Sequence, residues 1–379
     1  MFFVVCLSAC AGMKVQDERL PAQTLIPNLN WGLLFESQQT QVEPIRNQLT
    51  RVIQVASDSL NANFQTVKSL HLEGTLDNDP LRKESEQAKA SFPQIFDLAV
   101  CARLASASIK DQCLAKFRSV ILAWATNYQA SGNPINEGFF FPVFQAIDLV
   151  LQQMSNQDRE LIIAWLNQFA IQGDVFFSEM NQPTNTRLKN NWTAWRLFIR
   201  GTVATIVGNS ALMASTKNMV HDFVYQNILR DKEGNVIDGR SYDFVQRDAL
   251  HYHVYDLEPL VLLRLTAPDL VDKVTYDAIV KGLEFIKPFY TGEQQHIEFV
   301  HTTVKFDVTR AQAGQTDYLN LPWNPISARV LFRLARPAFS EIQTWTTNVV
   351  DAKYDPMVKF LAAIHGEKTP MSQEAIGQK

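Results

Sequence analysis

Leu114-Ala-Lys-Phe117-Arg-Ser-Val-Ile121-Leu-Ala-Trp124-Ala-Thr-Asn-Tyr128 sets the fold class. Its large apolar residues step by 3, 4, 3 and 4, one stripe of an α-helix. The same period runs outward in both directions. Upstream it predicts a helix over residues 42–60, with Pro44 at an acceptable first-turn position. Downstream it predicts helices over 137–153, 158–180, 192–208, 211–229, 244–265, 267–288, 328–350 and 354–365. Short polar links between such helices imply stacked antiparallel hairpins. Strand signals are few: residues 231–239 read as a turn or small hairpin, and 296–307 alternate as one strand. The charged 70–84 connection, with its Gly and Pro, reads either as a solvated linker or as a lid. No composition shift marks a boundary, so residues 26–379 read as a single all-α domain.

The 46% hydrophobic content fills a sizeable core, and a formal charge of -4 leaves no electrostatic footprint for nucleic acid. The chain opens MFFVVCLSAC, and Leu7-Ser8-Ala9-Cys10 resembles a bacterial lipobox with Cys10 as the lipidated residue. A truncated ordinary signal and a buried N-terminal strand are the other readings. On the lipobox reading residues 1–10 are a lipoprotein signal and 11–25 a tether. The chain is then expected in the periplasm or at the outer membrane of a bacterium, touching the membrane through its N-terminal lipid only. Cys101 and Cys113 flank a helix end, a short turn and a new helix start. They are either a disulfide across that turn, suited to an oxidising compartment, or two buried thiols.

Two constellations carry chemistry. In Arg247-Asp248-Ala249-Leu250-His251-Tyr252-His253-Val254-Tyr255, read as continuous helix, Arg247, His251 and Tyr255 stack on one face. A cation, an imidazole and a phenol in a row are the parts needed to take a proton from carbon beside a carboxylate. A structural helix with core aromatics and hydrogen-bonded histidines shows the same pattern. In Lys189-Asn190-Asn191-Trp192-Thr193-Ala194-Trp195, one Asn can cap a helix and the other offers its amide to a substrate carboxylate. Trp192 and Trp195 are a sugar platform or core. Ser131-Gly132-Asn133-Pro134-Ile135-Asn136-Glu137 is a turn entering a helix, and His296, Glu298, His301, Lys305, Asp307 and Arg310 are a weaker group or a solvated edge. No metal-ligand spacing, P-loop, nucleophile elbow or dinucleotide glycine pattern is present.

Taken in order, Leu122-Ala-Trp124…Tyr128, Gly132-Asn-Pro-Ile135, Asn190-Asn191 and Ala249-Leu-His-Tyr-His-Val-Tyr255 resemble the alginate lyase superfamily, the polysaccharide lyase family 5 type, over roughly residues 90–335. The resemblance implies an incomplete (α/α) toroid of antiparallel helical hairpins that cleaves an acidic polysaccharide by β-elimination. It places Tyr255 at the scissile bond and Asn191 on the substrate carboxylate. Arg247 and His251 complete the catalytic set, with Asn190, Trp192, Trp195, His253 and Asn136 as substrate contacts. The scheme requires no metal or organic cofactor. Two departures stand out: the family's His after the Asn pair is Trp192 here, and its Arg before Ala-Leu is Asp248, with Arg247 one place earlier. His251 is the candidate for the missing imidazole. The other readings are a non-catalytic polysaccharide-binding or scaffold lipoprotein on the same fold, and a glycoside hydrolase using Glu137 and Asp248.

Overall fold

The computed structural model describes residues 43–180, 185–342 and 345. The lipobox with Cys10, the tether and the expected helix 354–365 lie outside these residues. The first helices are α1 (Glu43–Ser59), α2 (Pro80–Lys89), α3 (Phe92–Leu104) and α4 (Ala107–Asn127). A short α5 (Pro134–Glu137) leads into α6 (Phe141–Val150) and α7 (Asn156–Glu179). Then come α8 (Asn191–Val207), α9 (Ser210–Asn227) and a two-stranded antiparallel hairpin, β1 (Ile228–Arg230) and β2 (Val236–Ser241). The last elements are α10 (Tyr242–Arg247), α11 (Leu250–Thr266), α12 (Lys273–Tyr290), α13 (Lys305–Gln312) and α14 (Arg329–Ala338). None of the described helices is long and apolar enough to cross a membrane.

The helices form two concentric layers. The inner helices α3, α6, α8, α11 and α14 pack each on the next, and α4, α7, α9 and α12 back them from outside. Burial follows the same division. Inner helices are buried around most of their circumference, as Leu197, Phe198, Ile199, Val203 and Ala204 are on α8. Outer helices bury one stripe, as expected where one face meets solvent. Among the described residues α14 does not pack back onto α3, so the ring stays open: an incomplete (α/α) toroid.

Caps explain several boundaries. Asp79 caps α2 ahead of Pro80, Ser155 caps α7, and Asn190 caps α8 through Trp192 N–H. Cys101 and Cys113 are joined by a disulfide, their Cα atoms 5.9 Å apart, across the turn between α3 and α4. The 70–84 connection is tied down. Leu72 and Glu73 N–H both donate to Asn136 Oδ1, Arg82 donates to the Leu72 carbonyl, and Ser85 Oγ accepts from His71 N–H.

Four expected elements are corrected. The 328–350 helix stops at Ala338, where Phe339 turns extended. The 244–265 helix is broken, because Asp248 takes a left-handed φ of 50° and Ala249 is extended. The 137–153 helix opens with a 3-10 turn at Gly138–Phe140 before Pro142 restarts it as α6. Residues 296–307 are not a strand; Ile297 alone pairs, with Pro322, and α13 begins at Lys305. The polar residues of that segment are used in bonds to α10 and α11.

Candidate active site

The break at Asp248 decides where the candidate residues go. Asp and Asn tolerate the left-handed region better than other side chains. Here the Asp248 carboxylate accepts from His301 N–H at 3.0 Å and pairs with its Nδ1 at 2.8 Å, while His296 Nε2 donates to the Asp248 carbonyl at 3.0 Å. The 296–301 turn is thereby fastened to the junction. It carries Glu298, whose two carboxylate oxygens accept from Leu250 N–H at 2.8 Å and His251 N–H at 3.2 Å. Ala249 has no side chain able to cap α11, so Glu298 satisfies those open donors from 48 residues away. Burial lifts Glu298 to about 7 against the pull of these two N–H groups.

Arg247 therefore sits on a different helix from His251 and Tyr255, which corrects the expected row. Its guanidinium binds Asp307, lies 3.5 Å from Asp243, and covers the Tyr252 ring at 3.7 Å from the centroid. Asp243 and Asp307 are both buried. A cation held between two buried carboxylates is already neutralised, so Arg247 holds the site together rather than meeting a substrate charge. The same carboxylates organise Asn191: its backbone N–H and its Nδ2 donate to one oxygen of Asp243, at 2.8 and 2.6 Å. Asn191 is buried, with one amide hydrogen thus fixed in direction and the second without a protein partner among the described residues. Asn190 is the cap of the pair.

The inner face of α11 carries His251, Tyr255, Glu258 and Leu262 on successive turns. His251 is exposed, with its ring edge-on to Tyr252 at 5.2 Å. The surrounding walls desolvate it enough to lower its pKa, helped by Arg247 and Arg310, so the imidazole is neutral and free to accept a proton. Tyr255 is half-buried, its ring 5.3 Å from Trp195. Together with Trp195, Glu258, Leu262, Phe139 and Lys89 it lines a cavity of about 390 Å³. Burial first, then the charge of Glu258, push the Tyr255 phenol well above its ordinary range. The charge of Arg247 is spent on Asp243 and Asp307. Tyr255 therefore keeps its proton and can only donate it. Pro259 removes the helical hydrogen bond to the Tyr255 carbonyl, which loosens α11 at this point.

The other expected contacts divide. Trp195 lines the cavity, and Gly138 lets it approach: a Cβ there would meet the indole at 2.5 Å. Trp192, in contrast, is sandwiched between Phe176, stacked at 5.9 Å, and the Arg187 guanidinium at 4.1 Å, and is largely buried. His253 is fully buried and touches no solvent. Its Nε2 donates to the Gly282 carbonyl at 2.9 Å and its Nδ1 faces Ser241, so it is a structural residue; burial depresses its pKa to about 4. Asn136 commits its oxygen to Leu72 and Glu73. The hydrolase pair dissolves. Glu137 is buried and accepts from Ser131 and Gly132 N–H, and Asp248 is bound by His301.

Several site residues were not singled out from the sequence. Asp243 shows only as an acid four places before Arg247 on a helix. Tyr318 donates to or accepts from Tyr252 at 3.0 Å and accepts from Arg310, a contact no local spacing announces. Glu258 is one turn after Tyr255 and is visible once that face is known to be inward. Among the described residues no group of three His, Cys, Asp or Glu is placed to hold a metal ion.

Comparison with known proteins follows this geometry. The family model described as Alginate lyase matches residues 34–296. No curated protein matches the chain. A solved variant of alginate lyase A1-III complexed with a tetrasaccharide is 16% identical, with a TM-score of 0.55, over 93% of this chain and 96% of that one. A crystal structure of alginate lyase A1-III from Sphingomonas species A1 is 15% identical, with a TM-score of 0.49, over 86% and 95%. At 16% identity the first of these likenesses speaks for the fold alone, whereas the family match spans well over half of the sequence. The chain belongs to the alginate lyase family.

Proposed function

We propose that the protein cleaves an acidic, uronate-containing polysaccharide such as alginate by β-elimination. One observation carries the reading. Tyr255, a phenol that keeps its proton, lines a cavity one helical turn from an exposed, neutral His251, beside an α8 whose Asn191 amide is aimed by Asp243. In this scheme the Asn191 amide stabilises the charge that builds on the substrate carboxylate as the C5 proton leaves. One such preorganised donor contributes on the order of 3 kcal/mol. His251 takes the C5 proton, and Tyr255 protonates the departing O4. Trp195 offers its face to a sugar ring. Arg247, Asp243 and Asp307 are the frame behind these groups.

The lipobox and the disulfide support export to an oxidising compartment with Cys10 as lipid anchor. Metabolic labelling with a fatty acid tests this, and loss of label in Cys10→Ser is the expected outcome.

A second reading, a polysaccharide-binding protein without turnover, is favoured by Trp192 standing packed where the family has an imidazole. Ultraviolet absorbance during incubation with polymannuronate, polyguluronate and polygalacturonate separates the two, because elimination creates a conjugated unsaturated uronate. Tyr255→Phe is expected to abolish the signal with the melting temperature unchanged. Full activity in that variant refutes the assignment, and polymer binding without absorbance in the wild type favours the second reading.

A further inference from the structure

Glu258 stands one turn behind Tyr255 on the inner face of α11, and both line the same cavity together with Leu262. Neither the Tyr255 hydroxyl nor the Glu258 carboxyl makes a hydrogen bond among the described residues. An unpartnered carboxyl in a largely aromatic cavity costs stability, and such a cost marks a functional group more often than a packing one. We propose that Glu258 is a positioning residue for proton transfer: it returns to Tyr255 the proton that the phenol gives to the departing sugar oxygen. The proposal rests on the elimination reading above.

The groups around Glu258 leave this role open. On α2, Lys89 lines the cavity, but its Nζ is paired with Glu86 at 2.6 Å and lies 4.2 Å from the Phe139 centroid. The Gly138–Phe140 turn and α6 contribute Gly138, Phe139, Phe141 and Pro142, α3 contributes Phe92 and Pro93, and α8 contributes Trp195; none of these titrates. Glu73 of the tied connection, Asp243 of α10 and Tyr318 act on the phenol, and each raises its pKa as Glu258 does. His251 and Glu258 are thus the titratable neighbours on Tyr255's own face of α11, one turn to either side, and of the two Glu258 lines the cavity. Desolvation lifts Glu258 to about 7, so it holds a proton near neutral pH, where an ordinary carboxyl would have lost it.

The step balances. The C5–H bond breaks and its proton goes to His251. The electron pair forms the C4–C5 double bond, the C4–O4 bond breaks, and O4 takes the proton of Tyr255. Through one water in the cavity the phenolate then takes the proton of the Glu258 carboxyl, a downhill transfer from the stronger acid to the weaker. Solvent reprotonates Glu258 and receives the proton of His251, so no proton is consumed over the cycle.

The test is the pH dependence of kcat and KM on the best polyuronate, read by absorbance. Assays use the wild type and the Glu258→Gln, Glu258→Asp and His251→Ala variants. The protonated carboxyl is the working form, so wild-type kcat is expected to fall as pH rises through about 7. In E258Q that fall is expected to be absent, with kcat at least about 10-fold lower at pH 6 and KM changed less than about 3-fold. E258D is expected to regain the fall and part of the rate, and H251A to keep the fall near 7 while losing activity. Wild-type kcat and an unmoved profile in E258Q overturn the role of Glu258 and leave the elimination reading standing. Should E258Q fail to fold, Glu258→Ala takes its place, and a wild-type rate with an unmoved profile in that variant does the same. A wild-type chain that generates no absorbance on any polymer overturns the elimination reading and this role with it.

Discussion

Arg247 shows how a side chain's neighbours settle its part. As a lone cation four residues from His251 it reads as a substrate clamp; between Asp243 and Asp307 it is a brace. Arg247→Met leaves two buried carboxylates without their counter-charge, and breaking such a pair costs about 3 to 5 kcal/mol. In a protein of this size that is a fall in melting temperature of roughly 4 to 6 °C, measurable by calorimetry. A substrate clamp would instead raise KM with little change in melting. That Asn191 opens a helix and Tyr255 lies on a helix was legible in the sequence; their proposed roles come from motif order. Asp243, Tyr318 and Glu258 were not legible, because their meaning comes from partners brought together by the ring.

Among elements, the hairpins were the most legible and the interruptions the least. Periodicity finds α4, α7, α8 and α9 because one apolar stripe per helix is a local signal. It runs straight through Asp248, since nothing in Asp-Ala announces a left-handed turn held by His301 and His296 from the next segment. Two predictions belong here. Gly138→Ala drives a methyl into the Trp195 indole, which is hemmed in by Phe198 and Tyr255. A loss of about 1 to 3 kcal/mol in urea unfolding is expected from the overpacking, together with a drop in turnover as the wall beside Tyr255 moves. Replacing Cys101 and Cys113 by Ala opens a 12-residue loop at the α3–α4 turn. The expected cost is about 3 kcal/mol, and a dithiol reductant should reproduce it in the wild type but not in the variant.

For the whole molecule, burial of acids sets the response to pH. Glu137, Glu258 and Glu298 titrate near 7 in the folded protein, against about 4.3 for an unfolded glutamate. Between those values the folded state binds more protons, so their contribution is complete below about 4.3 and is lost as pH rises through about 7. His251 and His253, both depressed, have largely finished their opposite contribution by pH 7, since an unfolded imidazole titrates at about 6.5. The melting temperature is expected to fall by about 1 °C from pH 7 to pH 8, on the order of 1 kcal/mol in total with Glu258 discounted for its partial exposure. An unchanged or rising value contradicts the burial of these acids. The stacked hairpins were legible from periodicity, and the toroid from the resemblance carried by the ordered motifs at 122–128, 132–135, 190–191 and 249–255. Which acids the ring would strip of water was not legible, since that depends on how the two layers meet.

The bond from Asn136 to Leu72 and Glu73 has a kinetic corollary. An enzyme whose entrance must swing shut and reopen slows in thickened solvent, because the swing works against friction. Here the segment best placed to swing is stapled to α5 by two backbone donors. Adding sucrose or glycerol should therefore leave turnover of short, quickly diffusing oligomers unaltered, and cutting the staple with Asn136→Ala should make the same reaction sensitive to viscosity.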